Sequence, residues 1–187
     1  MRGTVQGVAL TVSVAAALSL TTAASVLAAP GCSAPSLIGS VVDVSVTDMG
    51  AMMGPGMMGS SMMGGGMMGS APMMGGMRVS VDPATVRAGA VSLLVYNGGM
   101  RDHEVVVLPL PKGQSVGQRI VSSDNKIDET GSLGEASNTC GSGAGAGIAP
   151  GALGWTTISL PPGRYEVLCN IAGHYASGMY TELDVSA

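Results

Sequence analysis

Between residues 40 and 48 the chain reads Ser-Val-Val-Asp-Val-Ser-Val-Thr-Asp, which sets Val42, Val44 and Val46 on one face. Alternation with a period of two predicts a half-buried β-strand. Short apolar runs recur at 78–81, 91–97, 103–108, 155–160, 164–169 and 179–185, all but the last closed by Gly, Pro, Asn or Asp. Pro161-Pro162-Gly163 predicts a short hairpin that pairs 155–160 with 164–169. The stretch 112–154 is turn-rich, with eight Gly between Gly131 and Gly154, and 127–136 is its one predicted short helix. At least seven short strands with turn signals between them predict an all-β sandwich or barrel.

Two segments stand apart from this pattern. Residues 1–29 open with Met1-Arg2, run uncharged from Gly3 to Ala29 and end in Val26-Leu27-Ala28-Ala29. That is the form of a secretory signal peptide with small residues at its cleavage site; the alternative is an uncleaved membrane anchor, because the apolar run nearly spans a bilayer. The mature domain is then 30–187. Inside it, residues 49–77 hold 12 of the chain's 15 Met and 10 of its 30 Gly, with Met pairs at 52/53, 57/58, 62/63, 67/68 and 73/74. Gly and Pro throughout this repeat disfavour a helix, which predicts a flexible Met/Gly-rich insertion.

Composition narrows the function. Eight Lys+Arg against 12 Asp+Glu give a formal net charge of −4 and no basic footprint for nucleic acid. Two His in the whole chain exclude a multi-histidine metal enzyme such as one with a trinuclear copper cluster. Three Cys leave one over if two pair. Cys32 has two readings: the end of a loose lipobox, Ala29-Pro30-Gly31-Cys32, which would make the protein a lipoprotein, or one half of a disulfide with Cys140, which an exported protein permits.

The odd cysteine lies in Cys169-Asn-Ile-Ala-Gly-His174-Tyr-Ala-Ser-Gly-Met179, a Cys-x4-His-x4-Met spacing between two predicted strands. Strand parity puts Cys169 on the face of Val167 and Tyr165, Met179 on that of Leu183 and Val185, and His103 on that of Val105 and Val107. These three therefore point toward the core end, and His174 lies on the loop between Cys169 and Met179. Two imidazoles, a thiolate and a thioether form a soft, mixed site that suits copper in both oxidation states.

These residues make the chain resemble a cupredoxin over roughly 78–187. The resemblance is carried by Val79-Ser-Val-Asp-Pro-Ala-Thr-Val-Arg-Ala-Gly89, the run 91–97, the His103 strand, and Pro162-Gly-Arg-Tyr-Glu-Val-Leu-Cys169 through Met179. The long ligand loop is similar to those of rusticyanin and, in particular, sulfocyanin. The resemblance implies a Greek-key β-sandwich and one type 1 copper site, with His103, Cys169 and His174 equatorial and Met179 axial. Many cupredoxins have Asn after the first His ligand to tie the two ligand loops; Glu104 stands there in this chain, so the tie is expected from Asn170. The implied function is that of a non-enzymatic, exported, monomeric carrier of single electrons, meeting a respiratory or oxidase-type redox protein near His174. Its place would be the periplasm, cell envelope or exterior, with membrane attachment only through Cys32 or the uncleaved signal. The alternative function is copper storage or delivery, with the Met thioethers of 49–77 holding additional Cu(I).

Overall fold

The computed structural model describes residues 32–48 and 76–187. The signal assigned to 1–29 and nearly all of the Met/Gly-rich insertion fall outside that range. Among the described residues no helix is long and apolar enough to cross a membrane.

Among the described residues, nine strands form two sheets: β1 (Ser40–Thr47), β2 (Arg78–Asp82), β3 (Thr85–Arg87), β4 (Gly89–Asn97), β5 (Val105–Pro109), β6 (Gly134–Ala136), β7 (Leu153–Leu160), β8 (Gly163–Leu168) and β9 (Tyr180–Ser186). The first sheet has the order β2-β1-β4-β7 and the second β3-β9-β8-β5-β6. β1 runs parallel to β4, and β3 parallel to β9; the other pairs are antiparallel. Val42, Val44 and Val46 of β1 face Val91, Leu93 and Val95 of β4 along one core wall, and Val105, Val107, Val167 and Leu183 supply the other. This is the all-β sandwich that the alternating pattern predicts.

Two expectations are corrected. The segments 155–160 and 164–169 do not form a hairpin: β7 pairs with β4, whereas β8 pairs with β5 and β9 in the opposite sheet. Pro161-Pro162-Gly163 carries the chain across the sandwich, and the Tyr165 hydroxyl donates to Pro161 O at 2.7 Å to hold that corner. No helix forms over 127–136, which holds turns and then β6. There Ile127 packs onto the outer face of the second sheet with Val106, Leu108, Leu168 and Tyr175. This second apolar layer explains why β5 reads as an unbroken apolar run, since both of its faces are covered.

The layer is locked by a buried carboxylate. Glu166, fully buried, accepts from Gly117 N at 2.7 Å, from the Tyr175 hydroxyl at 2.9 Å and from Arg119 Nε at 2.6 Å. Arg119 Nη2 donates in turn to Pro109 O at 2.7 Å. A side chain at Gly117 would run into the Tyr180 ring, so only Gly lets the 112–122 segment come this close. Removing one partner of a buried ion pair leaves an uncompensated charge. Arg119→Ala is expected to cost about 3 kcal/mol in urea unfolding, and Arg119→Ala/Glu166→Gln to recover part of that loss. Equal losses in the single and double variants would show that the charge is not the cause.

Candidate metal centre

The first candidate ligand hangs on a loop shaped by a buried amide. Asn97 ends β4, fully buried; its Nδ2 donates to Arg101 O and Ile148 O, both at 2.7 Å, and its Oδ1 accepts from Gly99 N at 2.8 Å. The next turn delivers His103, whose N–H donates to Ile148 O at 3.1 Å while Ile148 N donates back to His103 O at 2.6 Å. Sequence reading treats Asn97 only as a strand end. The signal it misses is Asn followed by two Gly, an amide positioned to bond its own turn.

The other three candidates come from one loop. Cys169 ends the β8 run, and its N–H donates to Met179 O at 3.0 Å; Met179 N donates to His174 O at 3.2 Å. A 3-10 turn, Tyr175–Ser177, separates the two, closed by Gly178 at φ 95°. That left-handed conformation suits Gly at the position before Met179. The backbone thus folds Cys169, His174 and Met179 onto one end of the sandwich.

His103, Cys169 and Met179 have no exposed surface, and His174 retains 5%. Cys169 Sγ is 3.4 Å from His174 Nδ1 and 3.9 Å from His103 Nδ1. One ligand atom from each of the three lies within 4.8 Å of the others. Donors at ordinary metal–nitrogen and metal–sulfur distances around one ion in a trigonal plane stand about 3.5–4 Å apart, so the triangle fits a single ion. Its N/N/S chemistry fits copper. Met179, fully buried in the main core, is the thioether on the same loop.

Burial sets the charge state of the metal-free site. Together with His174, and against Asp48, it lowers the pKa of His103 to about 4, and it lowers that of His174 as well. Burial raises the Cys169 thiol to about 11. At neutral pH both imidazoles are therefore neutral and ready to bind a metal, and the thiol holds the one proton that a metal must displace.

The tie between ligand loops differs from the expectation. Asn170 bonds elsewhere: its Oδ1 accepts from Ile127 N at 2.8 Å, and its Nδ2 donates to Ile127 O and to Glu129. The link to the His103 loop is the Glu104 N–H, which donates to Cys169 Sγ at 3.5 Å.

Residues 73–187 match the family model described as the sulfocyanin (SoxE) domain. Comparison with curated proteins gives no match. Among solved structures, the chain is similar to auracyanin B, with 17% identity over 84% of this chain and 96% of that one, TM-score 0.45. It is also similar to a reduced auracyanin from the photosynthetic bacterium Roseiflexus castenholzii, with 21% identity over 58% and 88%, TM-score 0.41. Rusticyanin from Thiobacillus ferrooxidans matches with 21% identity over 80% and 79%, TM-score 0.39.

Proposed function

This chain belongs to the sulfocyanin (SoxE) family, with one type 1 copper site, and we propose that it carries single electrons outside the cytoplasm, with His103, Cys169, His174 and Met179 as the copper ligands. Copper supplies the Cu(II)/Cu(I) couple. The observation that carries the reading is the His103–Cys169–His174 triangle, buried except for the small exposed part of His174. A fixed, dry ligand set holds one compromise geometry for both oxidation states, so an electron moves with little rearrangement. The large apolar cavity, about 580 Å³, is lined by Pro109, Leu110, Pro161, Pro162 and Tyr165, at the ends of β5 and β8 away from His103 and Cys169.

His174 is the exit. It alone of the four retains solvent exposure, and its neighbours Ala172 and Ala176 are small and exposed. A redox protein partner of respiratory or oxidase type docks there through weak, brief contacts, and the carrier works as a monomer. Export is supported by the Cys32–Cys140 disulfide, since such bonds persist in oxidising compartments. That bond engages the Cys32 sulfur that a thioether-linked lipid would need.

Voltammetry of the copper-loaded protein tests the reading: the expected result is one reversible one-electron wave per chain. An irreversible wave accompanied by copper loss would overturn it.

Copper storage or delivery by the Met/Gly-rich stretch is a second reading, favoured by where its described flanks stand. Asp48 lies beside His103, and Met77 O lies 3.7 Å from the Cβ position of Gly178, so both flanks are at the ligand end. Thioethers bind Cu(I) without deprotonation. A variant lacking 49–75 is expected to bind fewer Cu(I) ions than the full chain while keeping the type 1 site; an unchanged count would end this reading.

A further inference from the structure

Among the described residues, one buried side-chain nitrogen or oxygen has no hydrogen-bond partner: Nε2 of His103. Its other ring nitrogen, Nδ1, faces Cys169. A neutral imidazole that presents Nδ1 as a donor to a metal carries its proton on Nε2. This ring therefore buries an N–H that needs an acceptor, and leaving it without one is destabilising.

The acceptor facing it is Asp48. Its Oδ2 lies 4.0 Å from His103 Nε2, and its side chain is 3% exposed. Its Oδ1 accepts from Met100 N at 2.7 Å, which fixes the carboxylate against the loop leading to His103. Arg101 Nε lies 3.9 Å from Oδ2, mostly exposed, on the solvent side. Gly99 supplies an independent observation. A Cβ there would fall 2.7 Å from Asp48 Oδ1 and 2.9 Å from His103 Nε2, so the bare backbone presses on both groups and closes the space around them. A movement of about 1 Å within this compartment brings carboxylate and ring to hydrogen-bond distance.

We propose that Asp48 is a positioning residue of the copper site: its carboxylate accepts the Nε2–H of His103, fixes the ring's tautomer and aims Nδ1 at the metal. Histidine ligands commonly have such a partner on their outer nitrogen, and its loss typically weakens metal binding 10–100-fold. Here the partner comes from the other sheet, at the end of β1. Asp48 also lies outside residues 73–187, so the family match does not carry it. The proposal rests on copper ligation by His103. A wild-type protein without a copper site would remove that premise, whereas a copper-loaded wild type with indifferent Asp48 variants removes this proposal alone.

The test uses full-length protein loaded with Cu(I), which is diamagnetic, and ¹⁵N-labelled histidine. In the wild type the His103 Nε2–H is expected as a downfield, slowly exchanging NMR signal. In Asp48→Ala it is expected to exchange at least about tenfold faster and move upfield, with copper affinity about 10–100-fold weaker. Asp48→Asn keeps the shape and an acceptor oxygen; it is expected to retain the signal at a shifted position and to raise the reduction potential, because removing a nearby negative charge favours Cu(I). Asp102→Asn, an exposed charge on the other side of the loop, is expected to leave the Nε2–H signal in place. An Asp48→Ala protein with an unchanged Nε2–H signal and copper affinity overturns the proposal, even if its melting temperature falls. If Asp48→Ala does not fold, an unshifted signal in Asp48→Asn overturns it equally.

Discussion

Cys169→Ser is expected to lose the intense visible absorption of the oxidised, copper-loaded protein by roughly tenfold or more, with the fold intact. That band is charge transfer from a thiolate to Cu(II), and Cys169 is the one free cysteine among the described residues. Serine keeps the size of the side chain and gives the Glu104 N–H an oxygen in place of the sulfur, so the two ligand loops stay joined. What is lost is the soft, covalent donor. The same substitution changes the proton balance. His103 is neutral above its pKa of about 4, His174, which burial holds below the usual imidazole value, is neutral at neutral pH and above, and the thiol stays protonated up to about 11. Loading copper on the wild type therefore releases one proton between neutral pH and about 11, and copper affinity rises with pH by about tenfold per unit across that window. The serine hydroxyl has no such proton to lose, so the slope should flatten. Absorption spectra and copper titrations at several pH values check both points. A Cys169→Ser protein with the wild-type spectrum would show that the thiolate is not a ligand.

The ligands are legible in the sequence because they are scarce and because strand parity is a local property. Two His and one unpaired Cys leave few other arrangements, and alternation puts His103, Cys169 and Met179, next to β5, β8 and β9, on the inward side. Val42, Val44 and Val46 show their strand for the same reason. What alternation cannot show is which sheet a strand joins. Pro161-Pro162-Gly163 is equally compatible with a tight turn and with a corner crossing the sandwich, and the second holds because β7 finds its partner in β4, far along the chain. The continuous apolar run of β5 hides its outer layer until Leu168 and Tyr175 are seen against it. The surroundings of the site are hidden more deeply. Asp48 looks like a residue ending a strand, and only the packing of β1 beside the His103 loop gives its carboxylate a partner.

Removing the Cys32–Cys140 disulfide should have the largest effect on stability. It joins residues 108 apart in sequence, with Cα atoms 5.2 Å apart. Closing a loop of that length in the unfolded chain is worth about 4–5 kcal/mol by the chain-entropy relation. For a domain of this size that corresponds to roughly 10–20 °C in Tm. The bond also has a local role. Cys32 is buried against the core cluster, while Cys140 N donates to Leu153 O at 2.7 Å in the Gly-rich segment that carries Ile148. Ile148 in turn makes two backbone hydrogen bonds with His103. The disulfide therefore anchors the stretch before β1 to the segment that holds the first copper ligand in place. Cys32→Ala/Cys140→Ala is expected to keep the copper absorption at low temperature, because Cys169 is untouched, and to lose it together with the far-ultraviolet circular dichroism at a much lower melting point. Chemical reduction of the wild type should reproduce the shift. If the double variant melts within about 2 °C of the wild type, well under 1 kcal/mol, the bond does not constrain the unfolded chain. If its copper band fades well before its secondary structure, the anchoring of Ile148 and His103 outweighs the entropy of the loop.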